Sequence, residues 1–276
     1  MHTSAKNSRA VPRSRITVPR LQEMKLGGEK IAMLTAYDAA FAAQCDAAGI
    51  DAVLVGDSLG MVVQGHDSTL PVTLDQMVYH TAAVARGLKT ALLIADLPFM
   101  TFRNPEAAQL ASARLVGEGG ATMVKLEGAE HVLDVIHALD SRQVPVCAHL
   151  GLTPQSVHKF GGYRVQGKTK PAAEQLLADA FAVQEAGASL LVLECVPAPL
   201  AQRITTELRI PTIGIGAGVD CDGQVLVIYD MLGITPGKKP RFSKDFLADR
   251  ASIGDAIRAY TRAVHRCEFP GPEHSF

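Results

Sequence analysis

Nearly unbroken apolar runs recur along the chain, and between them apolar residues return every three or four positions. The runs IAMLTA (31–36), AVLV (52–55), ALLIA (91–95) and TMVKL (122–126) are followed by PVCAH (145–149), SLLVLE (189–194), PTIGI (211–215) and VLVIY (225–229). A strand with one wet face alternates apolar and polar residues, whereas a parallel strand covered on both faces is apolar throughout. The runs therefore predict buried parallel strands. The intervening stretches predict helices. In 171–188, Ala173, Leu176, Leu177, Ala180 and Phe181 fall at i, i+3, i+4, i+7 and i+8, one face of a helix. Pro171 suits its first turn and Gly187 its C-terminal end. Gly49, Gly119 and Gly187 each precede the next apolar run, marking helix stop and strand start.

Eight strands with helices between them predict a (β/α)8 TIM barrel, with a doubly wound open sheet as the competing arrangement. The expected division is a disordered basic tail over 1–14 and one barrel domain over 15–276. Beyond the eighth strand, 243–266 predicts an amphipathic helix with Phe246, Ile253, Ile257, Tyr260 and Val264 on one side. It either covers the barrel or packs on a neighbouring subunit.

Composition narrows the field. The 276 residues are 47% hydrophobic and 20% charged, with 24 glycines, as expected of a large core; barrels of ~250 residues form one domain. A formal net charge of −1 offers no attraction to nucleic acid or to an anionic membrane. The five cysteines (Cys45, Cys147, Cys195, Cys221 and Cys267) include no CxxC pair, which favours a reduced, cytoplasmic setting over a disulfide framework. No apolar run approaches the ~20 residues of a membrane span. The first 20 residues carry Lys6, Arg9, Arg13, Arg15 and Arg20 and no acid. They lack the apolar core of a secretory signal, leaving a transit peptide or a short disordered extension.

Candidate chemistry sits at the strand ends. Asp57, Asp96, Glu127 and Glu194 each lie at or just past the end of an apolar run. In a parallel β/α protein those ends converge on one rim, where ligands bind. Each acid could instead cap the helix that follows. Carboxylates gathered in one pocket repel unless a cation neutralises them or one keeps its proton. Asp57, Asp96 and Glu127 offer only oxygen donors, which suits Mg²⁺. Glu194 stands apart as a candidate base, placed at the end of the most apolar run, SLLVL. Lys125 and Glu127 alternate with Leu126, so both face one side of their strand. Cys195, next to Glu194, reads as a core thiol.

The densest motif is VGDSLGMVVQGHDSTLPVT, 55–73, whose Gly56, Gly60 and Gly65 allow close backbone approach. Asp57 and Ser58 stand where its strand ends. The segment shows few helix signals, and His66 and Asp67 there read first as local loop hydrogen bonders. His149 ends the fifth run without an evident acid–base role. IGIGAG (213–218) superficially suggests a dinucleotide loop, but it falls late and lacks the following helix and acid. A backbone-lined pocket wall suits it better, and a nicotinamide cofactor is not supported.

The strings TVPRLQEMK, LTAYDAAFA, VLVGDSLGMVVQGHDSTLPVT, IADLPFMTF, VKLEG, AHLGLTPQSVHKFGGYRVQG, LLVLECVP and TIGIGAGVDCDGQVLVIYDMLG resemble the 3-methyl-2-oxobutanoate (ketopantoate) hydroxymethyltransferase family. The resemblance covers about residues 17–246. It implies a barrel of the phosphoenolpyruvate mutase/isocitrate lyase type with an extra C-terminal helix, a bound Mg²⁺ and a homodecamer whose C-terminal helix packs on a neighbour. It implies Asp57 and Asp96 as direct metal ligands, with Glu127 completing the metal site, directly or through water. Asp57, Ser58, Asp96 and Lys125 would hold the 2-oxo acid, and Glu194 would be the proton acceptor. The implied reaction joins 3-methyl-2-oxobutanoate to the one-carbon unit of 5,10-methylenetetrahydrofolate through a Mg-stabilised enolate, in pantothenate biosynthesis. Two departures stand out: Tyr229, where relatives often carry His, and the basic tail. A Mg²⁺-dependent lyase or aldolase acting on another 2-oxo acid is the alternative enzyme. A catalytically silent barrel is a third possibility, disfavoured because a scaffold needs no buried acidic cluster.

Overall fold

A computed structural model describes residues 13–237 and 239–276; apart from Arg13 and Ser14, the expected tail lies outside the described residues. Eight parallel strands close into a barrel in sequential order, with β8 paired to β1. They are β1 (Ile31–Thr35), β2 (Ala52–Val55), β3 (Leu92–Asp96), β4 (Met123–Glu127), β5 (Val146–Gly151), β6 (Leu190–Glu194), β7 (Thr212–Ile215) and β8 (Gly223–Leu226). The helices are α1 (Val18–Leu26), α2 (Ala39–Ala47), α3 (Leu59–Val62), α4 (Leu74–Gly87), α5 (Pro105–Gly117), α6 (Leu133–Asp140), α7 (Val157–Phe160), α8 (Lys170–Glu185), α9 (Ala198–Glu207), α10 (Ile228–Met231) and α11 (Ile253–His265). The closed barrel excludes the open-sheet arrangement.

Every strand is buried on both sides, and period-two alternation sorts its residues into two cores. Leu93, Val124 and Leu191 face the outer helices. Ile31, Met33, Leu92, Ile94, Met123 and Val192 fill the interior. Below them Ile16, Leu21 and Met24, brought in by α1, close the N-terminal end. Thr17 caps that helix and Pro19 occupies its first turn. Arg13 already belongs to the fold. Its guanidinium donates to the Ile50 carbonyl at 2.8 Å and pairs with Asp51.

The eighth strand begins earlier than the apolar pattern suggests. It spans Gly223–Leu226 and not 225–229, and Ile228 and Tyr229 start α10. A Cβ at position 223 would lie 2.3 Å from the Ile31 carbonyl, so a glycine sets the close approach to β1. The Ile228 amide leaves the ladder and donates to Thr35 Oγ1 at 2.9 Å.

The C-terminal helix is also shorter than the 243–266 expectation. Ser252 accepts from the Asp255 amide and starts α11, while the preceding residues form turns. It packs on β1 and α2 of its own barrel. Its buried Tyr260 hydroxyl lies 2.8 Å from the Met33 carbonyl and 2.9 Å from the Gln224 carbonyl, spanning the β8–β1 seam.

Candidate active site

The same alternation that fills the interior builds the site. Leu92 and Ile94 point inward, so Asp96 does; Met123 inward places Lys125 and Glu127 inward; Cys147 is followed by His149, and Val192 by Glu194. Apolar layers thus give way to one charged layer at the C-terminal rim. Register makes neighbours of residues far apart in sequence: Asp96 pairs with Lys125 across β3–β4, and Glu127 with His149 across β4–β5. None of the four strand-end acids is a helix N-cap. Asn104, Val132 and Pro197 occupy the caps of α5, α6 and α9, which removes the capping explanation.

Asp57, Asp96, Lys125 and Glu127 are all buried. Lys125 Nζ donates to Asp96 Oδ1 at 2.6 Å and lies 4.0 Å from Glu127 Oε1. The Asp57 amide donates to Asp96 Oδ2 at 3.0 Å. Ser58 Oγ lies 2.9 Å from the Tyr37 hydroxyl. A Cβ on Gly56 would stand 2.7 Å from Ser58 Oγ, so the strand end can turn this tightly only at a small residue. His149 lies between two carboxylates, its Nδ1 3.4 Å from Glu127 Oε1 and its Nε2 3.3 Å from Glu194 Oε2. Both approaches miss the hydrogen-bond direction, and neither buried ring nitrogen has another partner among the described residues. The Glu194 side chain, 14% exposed, is the most open of the four acids; Asp96 and Glu127 are 4% and 3% exposed.

The electrostatics show too little positive charge for so many carboxylates. Burial first, and repulsion from Asp96 and Glu127 next, hold the Asp57 carboxyl well above the usual carboxylate range. Burial also pushes Glu127 up, but the facing His149 and Lys125 and the Gln155 amide bring it below its ordinary value. Burial would lower the Lys125 ammonium; Asp96, Glu127 and Asp57 raise it instead, so it stays charged. Burial and Lys125 push His149 down, yet Glu127 and Glu194 prevail and lift it to about 9.

A hard cation fits this donor set. Among the described residues no group of three His, Cys, Asp or Glu side chains is ready to hold a metal. Mg²⁺, however, uses only one or two carboxylates and takes the rest of its ligands from water and substrate. Asp57 and Asp96 are the adjacent pair, with the Asp57 amide on Asp96 Oδ2 and both carboxylates buried. Glu127 is already engaged by the Gln155 amide at 2.9 Å and by His149, which fits an indirect place beside such an ion.

The family model for ketopantoate hydroxymethyltransferase matches residues 15–272. The chain belongs to that family. The 3-methyl-2-oxobutanoate hydroxymethyltransferase of Burkholderia vietnamiensis is 61% identical over 264 residues, covering 96% of this chain and 97% of that protein. Its namesake from Paraburkholderia phymatum is 59% identical over the same length and with the same coverage. Membership makes the chain a transferase enzyme. In fold it is similar to the crystal structure of 2,3-dimethylmalate lyase, a PEP mutase/isocitrate lyase superfamily member. There the TM-score is 0.57 and identity 18%, covering 92% of this chain and 88% of that one.

The rim thus gathers all six residues singled out from the hydroxymethyltransferase motifs: Asp57, Ser58, Asp96, Lys125, Glu127 and Glu194. His66 and Asp67 are exposed on the loop after α3 and stay outside the buried cluster. Cys195 is buried, as expected of a core thiol, but its φ of +50° is unusual for a non-glycine residue. Its carbonyl accepts from the Gln166 amide at 2.9 Å. Sequence reasoning missed Gln155, whose Nε2 donates to Asp57 Oδ2 at 2.8 Å and to the Leu97 carbonyl at 3.0 Å. Its only signal was a place within the motif after His149. Tyr37, behind Ser58, was equally silent, although it lies in the string LTAYDAAFA.

Proposed function

We propose that the enzyme transfers the one-carbon unit of 5,10-methylenetetrahydrofolate to C3 of 3-methyl-2-oxobutanoate, with water supplying the new hydroxyl oxygen. The products are 2-dehydropantoate and tetrahydrofolate, on the route to pantothenate. The observation that carries this reading is a division of labour at the rim. A buried Lys125–Asp96–Asp57 cluster stands ready for an anionic substrate and a cation, and a separate, more open Glu194 lies beside His149.

Lys125 offsets the negative charge of the 2-oxo acid, and Ser58, held by Tyr37, offers a hydroxyl to it. Asp57 and Asp96 are the residues that would hold Mg²⁺ directly, with Glu127 beside them. When bound, that ion supplies Lewis-acid polarisation of the ketone oxygen, which acidifies the C3 hydrogen. Glu194 takes that proton, with the His149 ring steadying the carboxylate. The electron pair left at C3 forms the bond to the methylene carbon as one of its two bonds to folate nitrogen breaks. Water then takes the place of the second nitrogen to leave the hydroxyl. The two freed nitrogens take up the proton held by Glu194 and the one released from water. The apolar layers beneath the rim keep water from the floor of the site. Residues 15–276 act as one catalytic unit, in the cytoplasm and as a homodecamer.

The test is hydrogen exchange at C3 of 3-methyl-2-oxobutanoate, followed by NMR in D₂O with Mg²⁺ and no folate. Exchange that requires the metal and vanishes in Glu194→Gln, with the fold retained, is the expected result. Undiminished exchange in Glu194→Gln would remove Glu194 from the base role. The absence of exchange in the native enzyme would count against enolisation ahead of donor binding.

A further inference from the structure

The segment between β5 and α8 has no part in the steps above, yet it is tied to the site at both ends. At one end, Gln155 donates to Asp57 and Glu127, at 2.8 and 2.9 Å. At the other, the Gln166 amide reaches the carbonyl of Cys195, the residue after Glu194, at 2.9 Å. Between these anchors the chain turns through Gly161 and Gly162, at φ +65° and +116°, with nothing within 4 Å of a Cβ at either position. Such dihedrals favour glycine. The segment therefore forms an arch with an open crown beside Asp57 and Glu194. Just past the crown is Tyr163, 52% exposed. Its hydroxyl donates to Met61 Sδ at 3.6 Å, and Met61, 36% exposed, stands on α3 directly after Asp57 and Ser58. Burial, then the charges of Glu194, Asp57 and Glu127, push the Tyr163 hydroxyl upward.

The charge on this arch is one-sided. Between Asp140 and Glu174 there is no acid, while Lys159, Arg164 and Lys168 are all exposed. Some exposed arginines elsewhere are answered by carboxylates, Arg20 by Glu29, Arg114 by Glu118, Arg203 by Glu174 and Arg258 by Asp255, while others, such as Arg86 and Arg103, form no ion pair among the described residues. Lys159, Arg164 and Lys168 form no ion pair among the described residues. An aromatic face beside a catalytic carboxylate, continued outward by unanswered cations, suits a ligand with a planar ring at one end and carboxylates at the other.

We propose that this arch binds the one-carbon donor, Tyr163 and Met61 receiving its planar heterocycle and Lys159, Arg164 and Lys168 its glutamate carboxylates. The assignment rests on the transfer reaction proposed above and locates its second substrate. Aromatic and thioether surfaces suit a heterocycle face without demanding hydrogen bonds. Each γ-linked glutamate added to the donor adds one carboxylate, so attraction to the arch should rise with chain length and weaken with salt.

The experiment is the KM for donors bearing one and three glutamates, at low and high salt. An exposed ion pair corresponds to roughly two- to fivefold in affinity, so the native enzyme should show a several-fold lower KM for the triglutamate, shrinking at high salt. In Lys159→Gln/Arg164→Gln/Lys168→Gln that ratio should collapse toward one. Tyr163→Ala should raise both KM values together and keep the ratio. C3 exchange, which needs no donor, reports on each variant whether its site is assembled. The single variants Lys159→Gln and Lys168→Gln repeat the test in smaller steps. Equal KM values in the native enzyme, or an undiminished ratio in the triple variant, would overturn the assignment while leaving the reaction standing. Native enzyme that exchanges C3 hydrogen but turns over neither donor would refute the folate half of the reaction, and this site with it.

Discussion

Replacing Lys125 with methionine keeps most of the apolar stem and removes the lysine that, among the described residues, faces Asp57, Asp96 and Glu127. Its Nζ lies 2.6 Å from Asp96 Oδ1, with the two side chains 5% and 4% exposed. At an effective dielectric near 20 that separation corresponds to about 6 kcal/mol of direct attraction. The measurable loss is smaller, because the variant no longer desolvates an ammonium; breaking a buried pair from one side costs about 3–5 kcal/mol. That is a large part of the ~5–15 kcal/mol that holds a domain together. Urea unfolding followed by circular dichroism at pH 5 and pH 8 measures it. Asp57 already stands above its ordinary value, and Lys125 is one of the groups that lowers it. A carboxyl raised in the folded state stabilises below its unfolded value and loses that contribution as pH rises through its folded value. Without Lys125 the rise is larger, so the variant should lose more at pH 8 than at pH 5. Mg²⁺ should restore part of the loss at pH 8. A loss below about 1 kcal/mol at pH 8, the size of an exposed pair, would refute the reasoning. So would the same loss at both pH values.

Gln155→Leu should cost about 1–3 kcal/mol, because Asp57 Oδ2 and the Leu97 carbonyl lose a buried donor; it should also weaken keto-acid binding in calorimetry. His149, lifted to about 9 by Glu127 and Glu194, contributes stability that is complete below its unfolded value near 6.5. That contribution fades as pH rises through about 9. Urea midpoints should therefore fall between pH 7 and 9 in the native enzyme, and fall less in His149→Gln. Asp57→Asn and Asp96→Asn should each weaken Mg²⁺ and keto acid together, and unchanged metal affinity in both variants would sink the ligand assignment. Tyr260→Phe should cost about 1 kcal/mol in thermal unfolding, from the lost hydroxyl contacts at the β8–β1 seam.

The barrel and much of its rim were legible because both follow from short-range periodicity. Apolar runs bounded by glycine and helical stretches yield strands, and alternation within KLE already placed Lys125 and Glu127 on one side. The pattern misled where an apolar residue is buried by something other than a strand. Ile228 is fully buried, yet in α10, because the glycine at 223 brings β8 in early. The amphipathic pattern of 243–266 likewise merged a turn region with α11, and it could not say which surface the helix covers.

Sequence by itself determined the element types, the barrel, the acids at the strand ends and the family. Only the tertiary structure decided who meets whom. Gln155 reaches Asp57 across 98 positions, and His149 lies between Glu127 and Glu194. Periodicity and turn chemistry are properties of a few consecutive residues, so they can be read along the chain. Hydrogen-bond partners at the rim depend on strand register, barrel closure and the path of the loop after β5. Those are settled only when the whole barrel has closed.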